Sequence, residues 1–245
     1  MIRTATEEDF LHDITTVSEL RIYALKRAYG LDVPFIQYMA DEEGTLASIM
    51  DGFCVVFSKN ALNEEWVTFL QMQPNIQIIH SAEHIIAALS EQWQIPFKNG
   101  ELMRYDNVTS ENALHINSVQ NVSLRELYAF HAEIFEEMAQ FDGWYVDVSH
   151  RVRHGCCHIT TALHEERLIG SAMTVAETET AALIGGVATL PEYREQGVAT
   201  RCITDLLAAL PQTQIYIAPS DEKAASLYRR LGFVPCGTWA ELILA

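Results

Sequence analysis

The stretch Gly186-Val187-Ala188-Thr189-Leu190-Pro191-Glu192-Tyr193-Arg194-Glu195-Gln196-Gly197-Val198-Ala199-Thr200 joins an apolar, strand-like run to a helix-like one through a short polar loop containing a glycine. Such a junction suits a phosphate. The first amides of a helix lack internal partners and together carry about half a positive charge, while glycine and alanine let an anion approach the backbone. Consecutive loop amides would add an anion-binding nest. An ordinary strand-to-helix turn has the same spacing, so the motif alone leaves both readings open. Arg194, Arg201, Lys223, Arg229 and Arg230 fall in the same region of a chain with 16 basic residues, and they can offset a polyanion's charge. Solvated helix faces account for such a cluster too.

A second motif runs Ser220-Asp221-Glu222-Lys223-Ala224-Ala225-Ser226-Leu227-Tyr228-Arg229-Arg230-Leu231-Gly232-Phe233. Ala224, Leu227, Tyr228 and Leu231 share one helical stripe, which turns Tyr228 inward. A buried phenol needs a hydrogen-bond partner. It serves either as a core residue or as a proton donor.

Together the two motifs resemble the GNAT superfamily of N-acetyltransferases over about Ala113 to Ala245. Arg194-x-x-Gly197-x-Ala199 matches that family's pyrophosphate loop, and Leu227-Tyr228-x-x-x-Gly232-Phe233 matches its C-terminal helix-and-strand signature. The resemblance implies acetyl-CoA as cosubstrate and no metal. Main-chain groups of Val187, Ala188 and Thr189 would receive the acetyl-pantetheine arm, and Glu195, Gln196, Gly197, Val198, Ala199 and Thr200 would wrap the pyrophosphate. Tyr228 would protonate the departing thiolate. Two positions depart from the pattern: Asp221 stands where many members place an asparagine that contacts CoA, and Tyr216 where many N-terminal acetyltransferases place a glutamate base. Either a carboxylate such as Glu177 or Glu179 then acts through water, or the amine arrives deprotonated.

Other reactive side chains read differently. His154-Gly155-Cys156-Cys157-His158 carries soft ligands, but no second pair at finger-like spacing, which argues against zinc. Cys202 lies on an apolar helix face and reads as a small buried hydrophobe. Asp142-Gly143 is a turn dipeptide. By resemblance it borders the acceptor groove, where Asp142, Trp144 and Tyr145 could touch an amine; an exposed aromatic-capped loop is the alternative.

The elements that must hold these residues are of mixed α/β type. Before Pro96, apolar periodicity predicts a helix over Thr6 to Ala28 ended by Gly30, strands Thr45 to Ile49 and Phe53 to Phe57, helix Leu62 to Gln71, strand Ile76 to His80 and helix Ala82 to Trp93. Pro96 and Gly100 punctuate, and a domain boundary is placed near Asn107, giving an N-terminal α/β domain (1–107) and an acetyltransferase-like one (108–245). The second domain reads as strand His115 to Val119, helix Leu124 to Met138, a short helix Val146 to Val152, and a three-stranded antiparallel meander (His158 to Leu163, Leu168 to Val175, Ala182 to Ala188). Helix Val198 to Leu210, strand Gln214 to Ala218, helix Asp221 to Leu231 and strand Val234 to Leu244 complete it. The overall expectation is a mixed α+β sheet. The first half repeats this order loosely, as a degenerate second unit would; its loop Ser58-Lys59-Asn60-Ala61-Leu62-Asn63-Glu64-Glu65 lacks glycine and carries two acids, so no CoA site is expected there.

The 245 residues are 49% apolar and carry a formal charge of −17, which opposes nucleic acid and anionic lipid and either favours an amine acceptor or serves only to keep the protein soluble. No apolar run reaches the roughly 18 residues of a membrane span, and the first residues show no signal-peptide core. Five cysteines without framework spacing favour a reducing compartment, so the cytoplasm is expected. Amine-dependent CoA release would mark an acetyltransferase. CoA binding without turnover would mark a sensor or docking module, and no CoA binding a ligand-free α/β interaction protein.

Overall fold

A computed structural model describes residues 1–11, 13–106, 122–136 and 138–244. It divides into two compact units, Met1–Leu102 with Pro235–Ala245, and Met103–Val234. The anticipated boundary at Asn107, the anticipated strand His115 to Val119, and Glu137 lie outside the described residues.

The first unit opens with strand β1 (Arg3–Thr4) and a 3-10 turn over Glu7–Phe10, and helix α1 (Val17–Tyr29) follows. Apolar periodicity predicts one helix from Thr6 onward; the helix instead begins after Thr16, which closes a capping box. The Thr16 hydroxyl accepts from the Glu19 amide at 3.2 Å, and the Glu19 carboxylate accepts from the Thr16 amide at 2.9 Å. Strands β2 (Ile36–Ala40), β3 (Leu46–Met50) and β4 (Phe53–Phe57) form an antiparallel meander, then α2 (Glu64–Gln71) leads to β5 (Ile78–Ser81), parallel to β4. Helix α3 (Glu83–Trp93) precedes β6 (Phe97–Tyr105).

Three of these strands, β1, β2 and β6, escape the periodicity. In β6, Gly100 is no break: a Cβ there would lie 2.7 Å from the Trp239 ring nitrogen, so the glycine lets an indole rest on the strand. Residues 235–243, from the end of the chain, pair antiparallel with β5 from Ala240↔Ser81 to Ile243↔Ile78. Ala240 and Leu242 thereby enter the core formed by Trp66, Leu70, Ile79, Ile86 and Leu89.

In the second unit, α4 (Leu124–Ile134) and α5 (Phe141–Arg153) precede the antiparallel meander β7 (Ile159–His164), β8 (Arg167–Glu177) and β9 (Ala181–Thr189). Helix α6 (Val198–Ala209), strand β10 (Gln214–Ile217), helix α7 (Glu222–Arg230) and the start of β11 (Phe233–Ile243) follow. Strand β10 is parallel to β9, and its other edge takes Met103 and Arg104 of β6. Helix α4 stops before the expected Met138. Helix α5 starts before the expected Val146 and absorbs Asp142-Gly143, because Gln140 accepts from the Trp144 amide at 3.0 Å and an acid in the first turn suits the helix dipole.

Each half of the sequence thus runs through a three-stranded meander, helix, parallel strand, helix and strand, preceded by α1 in the first half and by α4 and α5 in the second. Each sheet is also completed by a strand segment from the other half of the sequence.

Candidate active site

Strands β9 and β10 pair from Gln214↔Ala181 to Ile217↔Ile184; there β10 ends, while β9 continues to Thr189. From Gly185 onward, the edge of β9 that faced β10 is released from that pairing. Opposite β8, the register steps from Ser171↔Ala188 to Met173↔Gly185, so β9 carries one extra residue, a β-bulge. Gly186 occupies it with φ +55°, and a Cβ there would lie 2.7 Å from Met173 Cγ. Ser171 Oγ donates to the Gly186 carbonyl at 2.9 Å, and His131 Nε2 lies 2.8 Å from the same hydroxyl. His131, on α4, is 2% exposed, and burial pushes its imidazole down to about 4. Sequence spacing missed both His131 and Ser171; the only signal was a histidine on an otherwise apolar helix face.

Beyond β9, a 3-10 turn over Pro191–Tyr193 leads to Arg194, whose Nε donates back to the Thr189 carbonyl at 3.3 Å. Glu195 and Gly197 both take positive φ, +63° and +81°, and Gly197 is the residue before α6. Gly197 offers no capping side chain, so the amides of Val198, Ala199 and Thr200 begin the helix without intrahelical partners. Glu195, Gln196 and Gly197 are exposed, while Val198, Ala199 and Thr200 are half-buried. A Cβ on Gly197 would meet nothing within 4 Å, so the glycine serves backbone conformation and open access. This arrangement fits an anionic pyrophosphate. The corresponding helix of the first unit, α2, is closed by its own chain: Asn63 accepts from the Trp66 amide at 3.0 Å, and Glu64 and Glu65 fill the first turn.

Tyr228 lies inward on α7 at 5% exposure, with its ring centroid 6.0 Å from that of Phe233. Burial first, and the Asp221 carboxylate second, push its phenol up to about 12. The Asp221 carboxylate caps α7 by accepting from the Ala224 amide at 2.8 Å. Tyr216 is buried and donates its hydroxyl to Gln214 at 3.0 Å.

Neither carboxylate considered as a base lies beside Val187. Glu177 is buried at the opposite end of the β8–β9 hairpin, where it accepts from the His158 amide at 2.9 Å, from its ring Nδ1 at 2.8 Å and from the Thr174 hydroxyl. Glu179 is exposed in the turn between those strands.

On α5, Trp144 packs 5.3 Å from the Tyr128 ring and 6.3 Å from the His131 ring, and Tyr145 lies under Arg125. Asp142 is exposed. Cys157 and Cys202 are buried thiols, raised by that burial to about 11 and about 12. Among the described residues, no group of three His, Cys, Asp or Glu side chains is placed to hold a metal ion, and no helix is long and apolar enough to cross a membrane.

The model of the acetyltransferase (GNAT) family matches residues 118–233. Among curated proteins none matches the chain. Similar solved structures include a GCN5-related N-acetyltransferase from Sphaerobacter thermophilus, at 14% identity over 98% of this chain and 94% of that one, with a TM-score of 0.61. A GCN5-related N-acetyltransferase from Kribbella flavida is also 14% identical, over 81% and 86%, with a TM-score of 0.58. A tandem GNAT protein from the clavulanic acid biosynthesis pathway is 14% identical over 89% and 86%, with a TM-score of 0.59. At these identities the likeness is one of fold. With the parted parallel strands, the bulged β9 and the glycine-led α6 all inside the matched segment, residues 118–233 resemble the GNAT acetyltransferase family in sequence pattern and in fold.

Proposed function

We propose that the protein transfers an acetyl group from acetyl-CoA to a primary amine by direct attack in a ternary complex. The observation that carries this reading is the continuation of β9 past the end of β10 into a helix start left uncapped at Gly197. Acetyl-CoA supplies the activated acyl carbon, so no side-chain nucleophile is required.

Main-chain groups of Val187, Ala188 and Thr189 receive the pantetheine arm and the thioester carbonyl, and a free strand amide stabilises the negative charge that develops on its oxygen. Residues 194–200 hold the pyrophosphate through loop and helix amides, with Arg194 and Arg201 balancing its charge. Tyr228, kept protonated by burial, passes its proton to the departing sulfur and is restored from solvent. Tyr216 donates to Gln214, and Glu177 and Glu179 lie at the turn end of the β8–β9 hairpin, away from Val187, which supports a route without a side-chain base. The amine therefore enters neutral, its lone pair attacks the acyl carbon, and its proton leaves to water. Asp221 caps α7 through the Ala224 amide, and its exposed carboxylate also contacts the bound CoA in this reading.

The first unit, with the same element order from its meander onward but an acidic, side-chain-capped α2, is a degenerate copy without a CoA site that serves packing or acceptor recognition. Calorimetry with acetyl-CoA, followed by a screen of amines, amino acids, polyamines and peptide N-termini for CoA release, tests the reading. One CoA per chain with amine-dependent release is expected. Binding without release to any amine would favour a sensor, and wild-type affinity in folded Gly197→Glu would move the site elsewhere.

A further inference from the structure

The Gly186 carbonyl is held from the side of β8, and its partner is tied to α4. Ser171 has one hydroxyl proton and gives it to Gly186, so at His131 the hydroxyl accepts, and the imidazole carries its proton on Nε2. The polar chain therefore runs His131 Nε2–H to Ser171 Oγ–H to the Gly186 carbonyl. Phe130, Phe135 and Trp144 pack around the imidazole with ring centroids 5.7, 5.3 and 6.3 Å away, which limits its rotation.

The C=O and N–H of one trans peptide unit point in opposite directions. A Gly186 carbonyl directed at Ser171 on β8 turns the next amide, Val187 N–H, away from β8 and toward the edge of β9 that has parted from β10. Gly186 takes φ +55° inside a bulge, so the regular ladder does not fix this peptide plane. Side chains must do so.

We propose that His131 and Ser171 are positioning residues that lock the Gly186–Val187 peptide, so that the Val187 amide faces the thioester carbonyl in the acetyl-transfer reaction. The assignment rests on that reaction being the protein's function. Neither residue touches the reacting atoms; both act through one backbone plane. A loss of alignment at the reacting carbonyl costs rate more than binding, because the pyrophosphate grip at Gly197 is untouched.

The test uses the full-length protein and two substitution pairs, Ser171→Ala beside Ser171→Thr, and His131→Leu beside His131→Gln. The second member of each pair keeps a hydrogen-bonding group. Thermal unfolding, kcat and KM for acetyl-CoA are measured, together with the infrared carbonyl band of bound acetyl-CoA carrying ¹³C at the acetyl carbonyl, which needs no acceptor amine. Ser171→Ala is expected to lower kcat about tenfold to a hundredfold with KM within about twofold, and to shift the band toward its position in free solution. Ser171→Thr should recover most of both, and His131→Gln should exceed His131→Leu.

Wild-type kcat and an unshifted band in folded Ser171→Ala would overturn the proposal while leaving acetyl transfer intact. If Ser171→Ala does not fold, equal kcat and band position in His131→Gln and His131→Leu overturn it. Failure of the wild-type protein to bind acetyl-CoA would overturn the transferase reading, and this assignment with it.

Discussion

Removing the Tyr228 oxygen separates its two possible roles. Tyr228→Phe keeps the ring that packs against Phe233, so acetyl-CoA affinity should stay nearly intact while turnover falls about a hundred- to ten-thousandfold, as expected when a general acid is lost. Single-turnover rates beside thermal unfolding check this, and undiminished transfer would make the tyrosine structural. At His131 the outcome is a pH dependence of stability. The folded imidazole is pushed down to about 4 by burial, against an unfolded value near 6.5. Between those values the unfolded chain binds a proton that the folded chain does not, so stability should fall as pH drops through this window, by up to about 3 kcal/mol. Chemical denaturation from pH 7 to 4 should show a smaller loss for folded His131→Gln, and an equal loss would exclude this source.

Among the elements, the approach of α6 to β8 is set by Gly170, where a Cβ would collide with Val198 Cγ1 and lie 3.5 Å from Cys202 Sγ. Gly170→Ala should destabilise by about 1–3 kcal/mol through overpacking, and adding Val198→Ala should recover part of that loss. Denaturant titration of the single and double variants measures the coupling, and strict additivity would show that the contact carries no strain. The cap of α7 gives a second contrast. Asp221→Ala should cost about 1 kcal/mol, whereas Asp221→Asn, which still accepts from the Ala224 amide, should cost little. If both variants lose acetyl-CoA affinity equally without losing stability, Asp221 is a ligand and not a cap.

For the whole molecule, strand segments from one half of the sequence complete the sheet of the other unit. Residues 235–243 pair with β5, and Met103 and Arg104 pair with β10. A fragment of residues 108–245 would therefore leave one edge of β10 open and a long C-terminal strand segment without its partner, both of which invite edge-to-edge association. Such a fragment should aggregate or stay partly unfolded, whereas the full chain should be soluble and folded. Size-exclusion chromatography and circular dichroism test this, and a monomeric, cooperatively unfolding fragment would show that the exchanged strands are dispensable.

The sequence by itself determined what depends on local chemistry. Gly197 ahead of a helix, Tyr228 on an inward stripe and the short apolar runs of β7 to β9 were all legible, because helix starts, helical faces and strand-length apolar runs each span only a few residues. It also contained the contrast between Gly197 and Asn63-Glu64-Glu65 at the two helix starts. Tertiary structure alone decided the rest. Strand β6 continues through Gly100 because Trp239, far along the chain, lies on it. The chain from His131 through Ser171 to Gly186 spans a helix and two strands, and no local period connects residues that meet only when those elements pack. The strand exchange has the same origin: pairing partners are chosen by which edges remain open after each half has formed its meander, and that is a property of the folded chain.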